Sequence, residues 1–213
     1  MPGIEWILLY IALGALVGFM AGLLGLGGGG ILVPLLASIF TYQGIGAGNV
    51  VHLALGTALA CMIISSTAST RAHAARGNIA WKVVGGMAPG IILGAFLVTQ
   101  FAANINVSYI ASFFALFMAL IAGQMFVNWQ PTPSTTPTTL PGLFAAAIGI
   151  GSLSALAAVG GGFLTIAYLG YKNIDMKIAI GTSAAIVLTI AITGAAGYMI
   201  SGWSRTLGDA YTL

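Results

Sequence analysis

Two runs of consecutive glycines are the residues in this sequence best suited to bind a ligand. A short apolar segment follows each run, beginning at Ile31 in the first case and at Phe163 in the second. A helix that starts there leaves its first backbone N–H groups unpaired and presents the positive end of its dipole. Such an end binds an anion without lysine or arginine. The runs consist of Gly27, Gly28, Gly29 and Gly30, and of Gly160, Gly161 and Gly162.

Tight helix packing is the alternative explanation for so many glycines, because small residues allow membrane helices to approach closely. Packing needs small residues on one face, however, whereas a run of successive glycines occupies every face. We therefore expect packing for the glycines at helical spacing and anion binding for the two runs. A phosphate-binding nucleotide loop is excluded, since no Gly-Lys-Ser/Thr follows either run. The packing set is Gly14, Gly18, Gly22, Gly85, Gly86, Gly90 and Gly94.

Four polar residues inside apolar segments or at their start are further candidates. Thr57 and Thr182 each follow a glycine in a repeated landmark, and their hydroxyls either contact the anion or bond back to their own helix. Asn49 and His52 lie one turn apart at the start of an apolar segment. His52 either takes up a proton or contacts the anion during function, or it bonds to a neighbouring carbonyl.

Basic residues are few, and three of them follow one apolar segment. We expect Arg71, Arg76 and Lys82 to anchor that segment at the cytoplasmic lipid headgroups, with anion attraction as the alternative role. Six basic residues in the whole chain give no nucleic-acid footprint. Apart from Glu5 at the very start of the first one, no carboxylate lies within an apolar segment, and Cys61 is the single cysteine, so we expect no metal site, no cofactor and no enzyme active site.

Composition places these residues in a membrane. The chain is 59% hydrophobic and 4% charged, with a mean hydropathy of +1.07. A soluble chain carries about a quarter charged residues, so lipid must be the solvent of this one. About 20 apolar residues cross a bilayer, which predicts a multi-pass all-α protein. The predicted spans are Ile4–Leu26, Val50–Ser69, Val83–Ala102, Val107–Val127 and Met176–Ile200, with 141–158 borderline.

The two halves of the chain look like copies joined by a linker. Both the glycine run and a later Gly-Thr landmark, Gly56-Thr57 and Gly181-Thr182, recur in the same order. We predict one membrane repeat at 1–127, a Pro/Thr-rich aqueous linker at 128–140 and a second repeat at 141–213. If each glycine run is the tip of a hairpin, five of the six basic residues share one face and the halves are inverted.

With these motifs in place, the chain resembles the TauE/SafE family of sulfite and organosulfonate exporters, which includes permeases for 4-toluene sulfonate uptake. The resemblance is carried by 22–36, by 54–57, by 76–81 and by the second-half glycine landmarks. It implies an inner-membrane permease for small sulfur-containing or carboxylated anions, built from two related halves. A passive anion channel and a non-transporting membrane subunit or receptor are the alternatives.

The second half departs from the family pattern. It stops soon after Arg205, where members of the family continue with two further spans. Either the chain is shortened, or a second copy in a homo-oligomer completes the structure. The second half also has Ala167 where the first has Pro34, so we expect its short helix to be fixed less firmly.

Overall fold

A computed structural model describes residues 4–24, 28–44, 49–127 and 140–210 of the chain. These residues form helices and no strand, which confirms the all-α prediction. The helices in chain order are α1 (Ile4–Leu24), α2 (Gly29–Tyr42), α3 (Val50–Ala75), α4 (Trp81–Ala103), α5 (Val107–Val127), α6 (Leu140–Ala157), α7 (Gly162–Tyr171) and α8 (Met176–Ala210).

Four of the described helices are long and apolar enough to cross a membrane. They are α3, α4 over Trp81–Ala102, α5 over Val107–Gln124 and α8 over Met176–Gly202. α1 covers 21 residues, whereas α2 has 14 and α7 has 10. The two short helices therefore follow the two glycine runs, as the sequence indicates. The protein is a multi-pass helical membrane protein.

Some predicted boundaries were wrong. α3 continues past Ser69 to Ala75 because its hydroxyls bond to their own helix, for example Ser66 Oγ to Met62 O at 2.5 Å and Thr67 Oγ1 to Ile63 O at 2.6 Å. It ends where Gly77 takes a left-handed φ of 69° and its N–H donates to Ala74 O.

The short helices also begin earlier than expected, at Gly29 rather than Ile31 and at Gly162 rather than Phe163. Only the preceding glycines need left-handed backbone to reverse the chain, so the last glycines of each run join the helix.

Close packing of α4 against α6 joins the two halves. A Cβ on Gly90 would lie 2.5 Å from Phe144 O, and one on Gly94 would lie 2.8 Å from Ser152 Oγ. The packing role predicted for these two glycines is confirmed. For Gly14, Gly18 and Gly85 it was wrong within the part of the chain that the structure describes, since an added Cβ would meet nothing within 4 Å.

α3 and α8 form a second, antiparallel interface between the halves. Gly194 lies against Leu59, and further along α8 Tyr198 lies against Gly56. At the other end of this pair, Gly181 of α8 packs against the backbone of Asn78 in the turn between α3 and α4. The start of α8 therefore lies at the same end of the bundle as the basic residues around that turn.

The remaining contacts involve the two short helices. The end of α2 reaches back to α1, where Gln43 Nε2 donates to Tyr10 OH at 3.1 Å. α6 runs alongside α4 in the same direction, and α7 then returns towards the end where α8 starts. The hairpin arrangement, the inverted repeat and the domain limits stay predictions. Most of the predicted linker, 128–139, lies outside the described residues.

Candidate functional site

The start of α2 is built on Gly28. This residue has a φ of 72°, which lets the chain turn directly into the helix. Its carbonyl accepts hydrogen bonds from Ile31 N at 3.2 Å and from Leu32 N at 2.9 Å. The amide of Ile31 is therefore already used, although the sequence made it a candidate anion ligand. Gly27 lies outside the described residues.

The start of α7 is built on a longer left-handed stretch. Ala158, Gly160 and Gly161 have φ values of 47°, 77° and 65°, and all three are buried. Thr165 N donates to Gly161 O at 2.9 Å, which is the i to i−4 bond of the first helical turn. The amides of Gly162 and Phe163 precede that bond and belong to the positive end of the helix dipole.

The two junctions touch each other in the middle of the bundle. A Cβ added to Gly29 would collide with the carbonyl group of Ala158, so only glycine fits at this contact. Met62 of α3 lies against both junctions: its sulfur is 3.3 Å from the Cβ position of Gly29, and its methyl group contacts Gly160. The sequence placed the two runs in separate halves, and the fold brings them together.

Two hydroxyl groups that sequence analysis did not select complete the second junction. Ser154 of α6 and Thr165 of α7 are fully buried, and neither hydroxyl has a hydrogen-bond partner among the described residues. Ser154 Oγ lies 2.5 Å from the Cβ position of Gly161. A buried hydroxyl without a partner costs about 1–3 kcal/mol. The signal in the sequence was a polar residue six positions before the glycine run and another three positions after it.

The two threonines of the repeated landmark have different environments. Thr182 is fully buried, and its Oγ1 accepts a hydrogen bond from Ala80 N at 3.0 Å at the start of α4. Neither role proposed for it from the sequence includes this contact between halves. Thr57 is half-buried and lies on α3 next to Gly56.

Asn49 and His52 lie at the start of α3, away from Met62, where α3 contacts the junctions. Asn49 is exposed at the N-cap position, where its backbone carbonyl accepts from Leu53 N at 3.0 Å. His52 is half-buried, and its Nε2 lies 3.0 Å from Ala102 O. The carbonyl contact expected as one alternative for His52 is therefore present.

The basic residues gather at one end of the bundle. Arg71, Arg76 and Lys82 are exposed around the turn between α3 and α4. Lys172 and Lys177 flank the turn between α7 and α8, which packs beside the first turn through Gly181. Five basic residues on one end agree with the expected cytoplasmic face.

The described part of the chain contains no cluster of metal-binding side chains. No group of three or more His, Cys, Asp or Glu side chains comes together there. Cys61 is a free and exposed thiol on α3. The hydrogen-bond donors at the junctions are backbone amides and neutral hydroxyls.

Comparisons with known proteins agree with this architecture. Residues 10–209 match the family described as sulfite exporter TauE/SafE. A probable membrane transporter protein of Haemophilus influenzae is 33% identical over 211 residues, covering 98% of this chain and 79% of the relative. One of Methanocaldococcus jannaschii is 31% identical over 214 residues, covering 96% and 76%. A third, YdhB of Bacillus subtilis, is 29% identical over 195 residues, covering 88% and 77%.

No solved structure matches this chain. The family and the relatives carry the names of transporters rather than enzymes. The match covers both glycine junctions and all the membrane helices described above. The chain therefore belongs to the sulfite exporter TauE/SafE family and is a membrane transporter.

Proposed function

We propose that this transporter exports a small oxyanion, such as sulfite or an organosulfonate, across the inner membrane of the cell. The anion binds where the two short helices begin, chiefly at Gly160, Gly161, Gly162 and Phe163 at the start of α7. One observation carries the proposal: Ser154 and Thr165 keep buried, unpartnered hydroxyls beside that helix start. The name of the family supplies the substrate class.

The chemistry of the site favours a small oxyanion over other solutes. Backbone N–H groups and hydroxyls are hydrogen-bond donors, and an oxyanion has several acceptor oxygens within a small radius. Burying such an anion against dipoles avoids the cost of burying a lysine or arginine in the bilayer. The basic residues at the cytoplasmic end raise the local anion concentration before the anion enters.

Flux measurements on four variants test the proposal. In proteoliposomes, Ser154→Ala and Thr165→Val should each raise the sulfite concentration that gives half-maximal flux about tenfold, because a hydrogen bond to a charged group contributes about 1.5–3 kcal/mol. Two controls change similar groups elsewhere. Ser152→Ala alters a half-buried serine two positions along α6, and Thr189→Val removes a hydroxyl bonded to Ala185 O at 3.2 Å.

The panel of solutes should contain sulfite, methanesulfonate, 4-toluenesulfonate and acetate. Equal effects of the site and control variants would contradict the assignment of the site, and absence of flux for the whole panel would contradict the substrate class. A flux that neither saturates nor responds to a proton gradient would identify a passive anion channel instead.

A further inference from the structure

A second polar site lies at the end of α3 opposite the basic turns, and nothing in the anion-binding proposal uses it. Tyr198 of α8 is 7% exposed, and its ring forms an edge contact with His52, with centroids 6.5 Å apart and planes at 67°. His52 Nδ1 and the Tyr198 hydroxyl are both buried without a hydrogen-bond partner among the described residues. The two rings are therefore neighbours, and each carries a buried polar atom without a partner.

The hydrogen bond of His52 defines what its free nitrogen can do. A carbonyl only accepts, so the 3.0 Å contact with Ala102 O places a hydrogen on Nε2. Neutral His52 then presents Nδ1 as an acceptor, and a proton added there turns Nδ1 into a donor. The two groups form no direct hydrogen bond, so one water between them would let the Tyr198 hydroxyl donate towards the neutral ring or accept from the charged one.

Among the side chains that the structure describes, the other groups around His52 are neutral. On α4, Thr99 Oγ1 donates to Phe96 O and Gln100 Nε2 to Gly197 O. The titratable groups of α2 and α5 nearest this end, Tyr42 and Tyr109, are 83% and 73% exposed. The charged side chains that the structure describes all lie at the opposite end of the bundle, at Arg71, Arg76, Lys82, Lys172, Asp175 and Lys177.

We infer that His52 and Tyr198 form a buried proton-binding site, and that the proton bound there accompanies the transported anion. The first clause stands on the geometry of the pair, and the second rests on the proposed function. The site therefore takes a proton at His52 Nδ1, with Tyr198 as the group that stabilises the protonated ring.

α3 and α8 connect this site to the anion site. Met62, which touches both glycine junctions, lies ten residues after His52 on α3, or about 15 Å along the helix. Tyr198 and Val187, which contacts Gly160, lie on α8. Opposite charges separated by about 15 Å at an effective dielectric constant of about 20 strengthen each other's binding about sixfold. By reciprocity, the anion should tighten proton binding by the same factor.

The decisive experiment is an NMR titration that does not depend on transport. The chain has two histidines, so ¹⁵N-histidine labelling of the His73→Gln variant in nanodiscs reports on His52 alone. We expect an Nε2–H tautomer at high pH, protonation of Nδ1 on acidification, and about threefold weaker proton binding in His73→Gln/Tyr198→Phe. The control Tyr109→Phe should leave the midpoint unchanged. A ring that stays neutral from pH 5 to pH 8, or a midpoint that ignores Tyr198→Phe, would overturn the site.

A flux experiment then tests coupling. If the pair carries the accompanying proton, His52→Gln should abolish stimulation of sulfite flux by a pH gradient while downhill sulfite exchange continues, and His73→Gln should retain the stimulation. Stimulation that survives in His52→Gln overturns the coupling. If the parent moves no anion of the panel, the proposed substrate class fails, while the NMR titration still decides whether the pair binds a proton.

Discussion

The two glycine junctions share a sequence pattern but differ in what surrounds them. At the start of α2, Gly29 packs against the backbone of Ala158, and a Cβ on Gly30 would lie 2.7 Å from Met118 Cε. At the start of α7, the buried hydroxyls of Ser154 and Thr165 accompany the glycines. The first junction is thus a close contact with a backbone carbonyl, whereas the second has two buried hydroxyls without partners beside it.

The difference shows that a repeated motif need not repeat its role. Both runs contain a left-handed glycine before the helix, Gly28 in the first and Gly160 and Gly161 in the second, but only Gly29 of the first run makes room for a backbone carbonyl of the other half. Both uses require the absence of a Cβ, so the sequence pattern alone could not separate them. We therefore expect substitutions at the two junctions to fail in different ways.

The largest effect should come from Gly29→Ala. The new methyl group meets a backbone carbonyl that cannot rotate away, so the contact between the halves must open. Overpacking of this kind costs about 1–3 kcal/mol or more. We expect a clear drop in the apparent Tm of the purified protein in detergent, followed by tryptophan fluorescence, together with loss of transport.

Two matched variants sharpen that result. Gly14→Ala adds a methyl group where nothing lies within 4 Å and should leave Tm unchanged or slightly raised. Gly161→Ala meets only the side-chain ends of Ser154 and Ile190, so its main cost is about 1–2 kcal/mol for the left-handed φ of an alanine. If Gly161→Ala destabilises the protein more than Gly29→Ala does, the assignment of packing to the first junction is wrong.

The landmark threonines should give the next largest difference. Thr182→Val removes the acceptor for Ala80 N and leaves that half-buried amide without its partner near the start of α4, which should cost about 1–2 kcal/mol of stability. Thr57→Val alters a half-buried side chain and should change stability by less than about 0.5 kcal/mol. Thermal unfolding of both variants measures the difference.

Measurements of sulfite affinity in the same variants test the expectation from the sequence that these threonines contact the anion. An effect of Thr57→Val on affinity without an effect on Tm would support anion contact in the first half. Equal destabilisation by the two variants would mean that Thr57 and Thr182 have the same role in their halves. That result would contradict a special role for the hydrogen bond between Ala80 N and Thr182 Oγ1.

Sequence reasoning reached the helices and the glycine runs because their signals are local. Composition and segment length fix which stretches are membrane helices, and runs of glycine stand out in any apolar sequence. The predicted end of α3 at Ser69 was wrong because of its serine and threonine residues. Their hydroxyls can bond to carbonyls of their own helix, so they occur inside a membrane helix as well as at its end.

The rest of the site depends on long-range packing. The sequence does not reveal that Gly29 meets Ala158, that Thr182 bonds to Ala80, or that Tyr198 faces His52, since each pair joins residues from different halves. Ser154 and Thr165 became candidates only when the fold showed that their hydroxyls are buried without partners. Their positions near the glycine run carried a signal, but many small polar residues in this chain lie near glycines.

The smallest effect should come from Pro34→Ala, which tests whether proline fixes the first short helix. Pro34 and Ala167 occupy the same position, the sixth residue of α2 and of α7. Proline favours a helix only in its first turn, and Pro34 lies beyond that turn. There it removes the N–H that would donate to Gly30 O. The expectation that it firmly sets the helix start therefore has no support in its location.

Since Pro34 is exposed, replacing it with alanine leaves no cavity and restores that hydrogen bond. We expect Tm to rise slightly, by an amount equivalent to about 1 kcal/mol or less, and sulfite affinity to stay within about twofold of the parent. A large loss of affinity in Pro34→Ala would show that the start of α2 contributes to the anion site through its conformation. That result would reverse the division of roles between the two junctions, because the first would then shape the binding site rather than close the contact between halves.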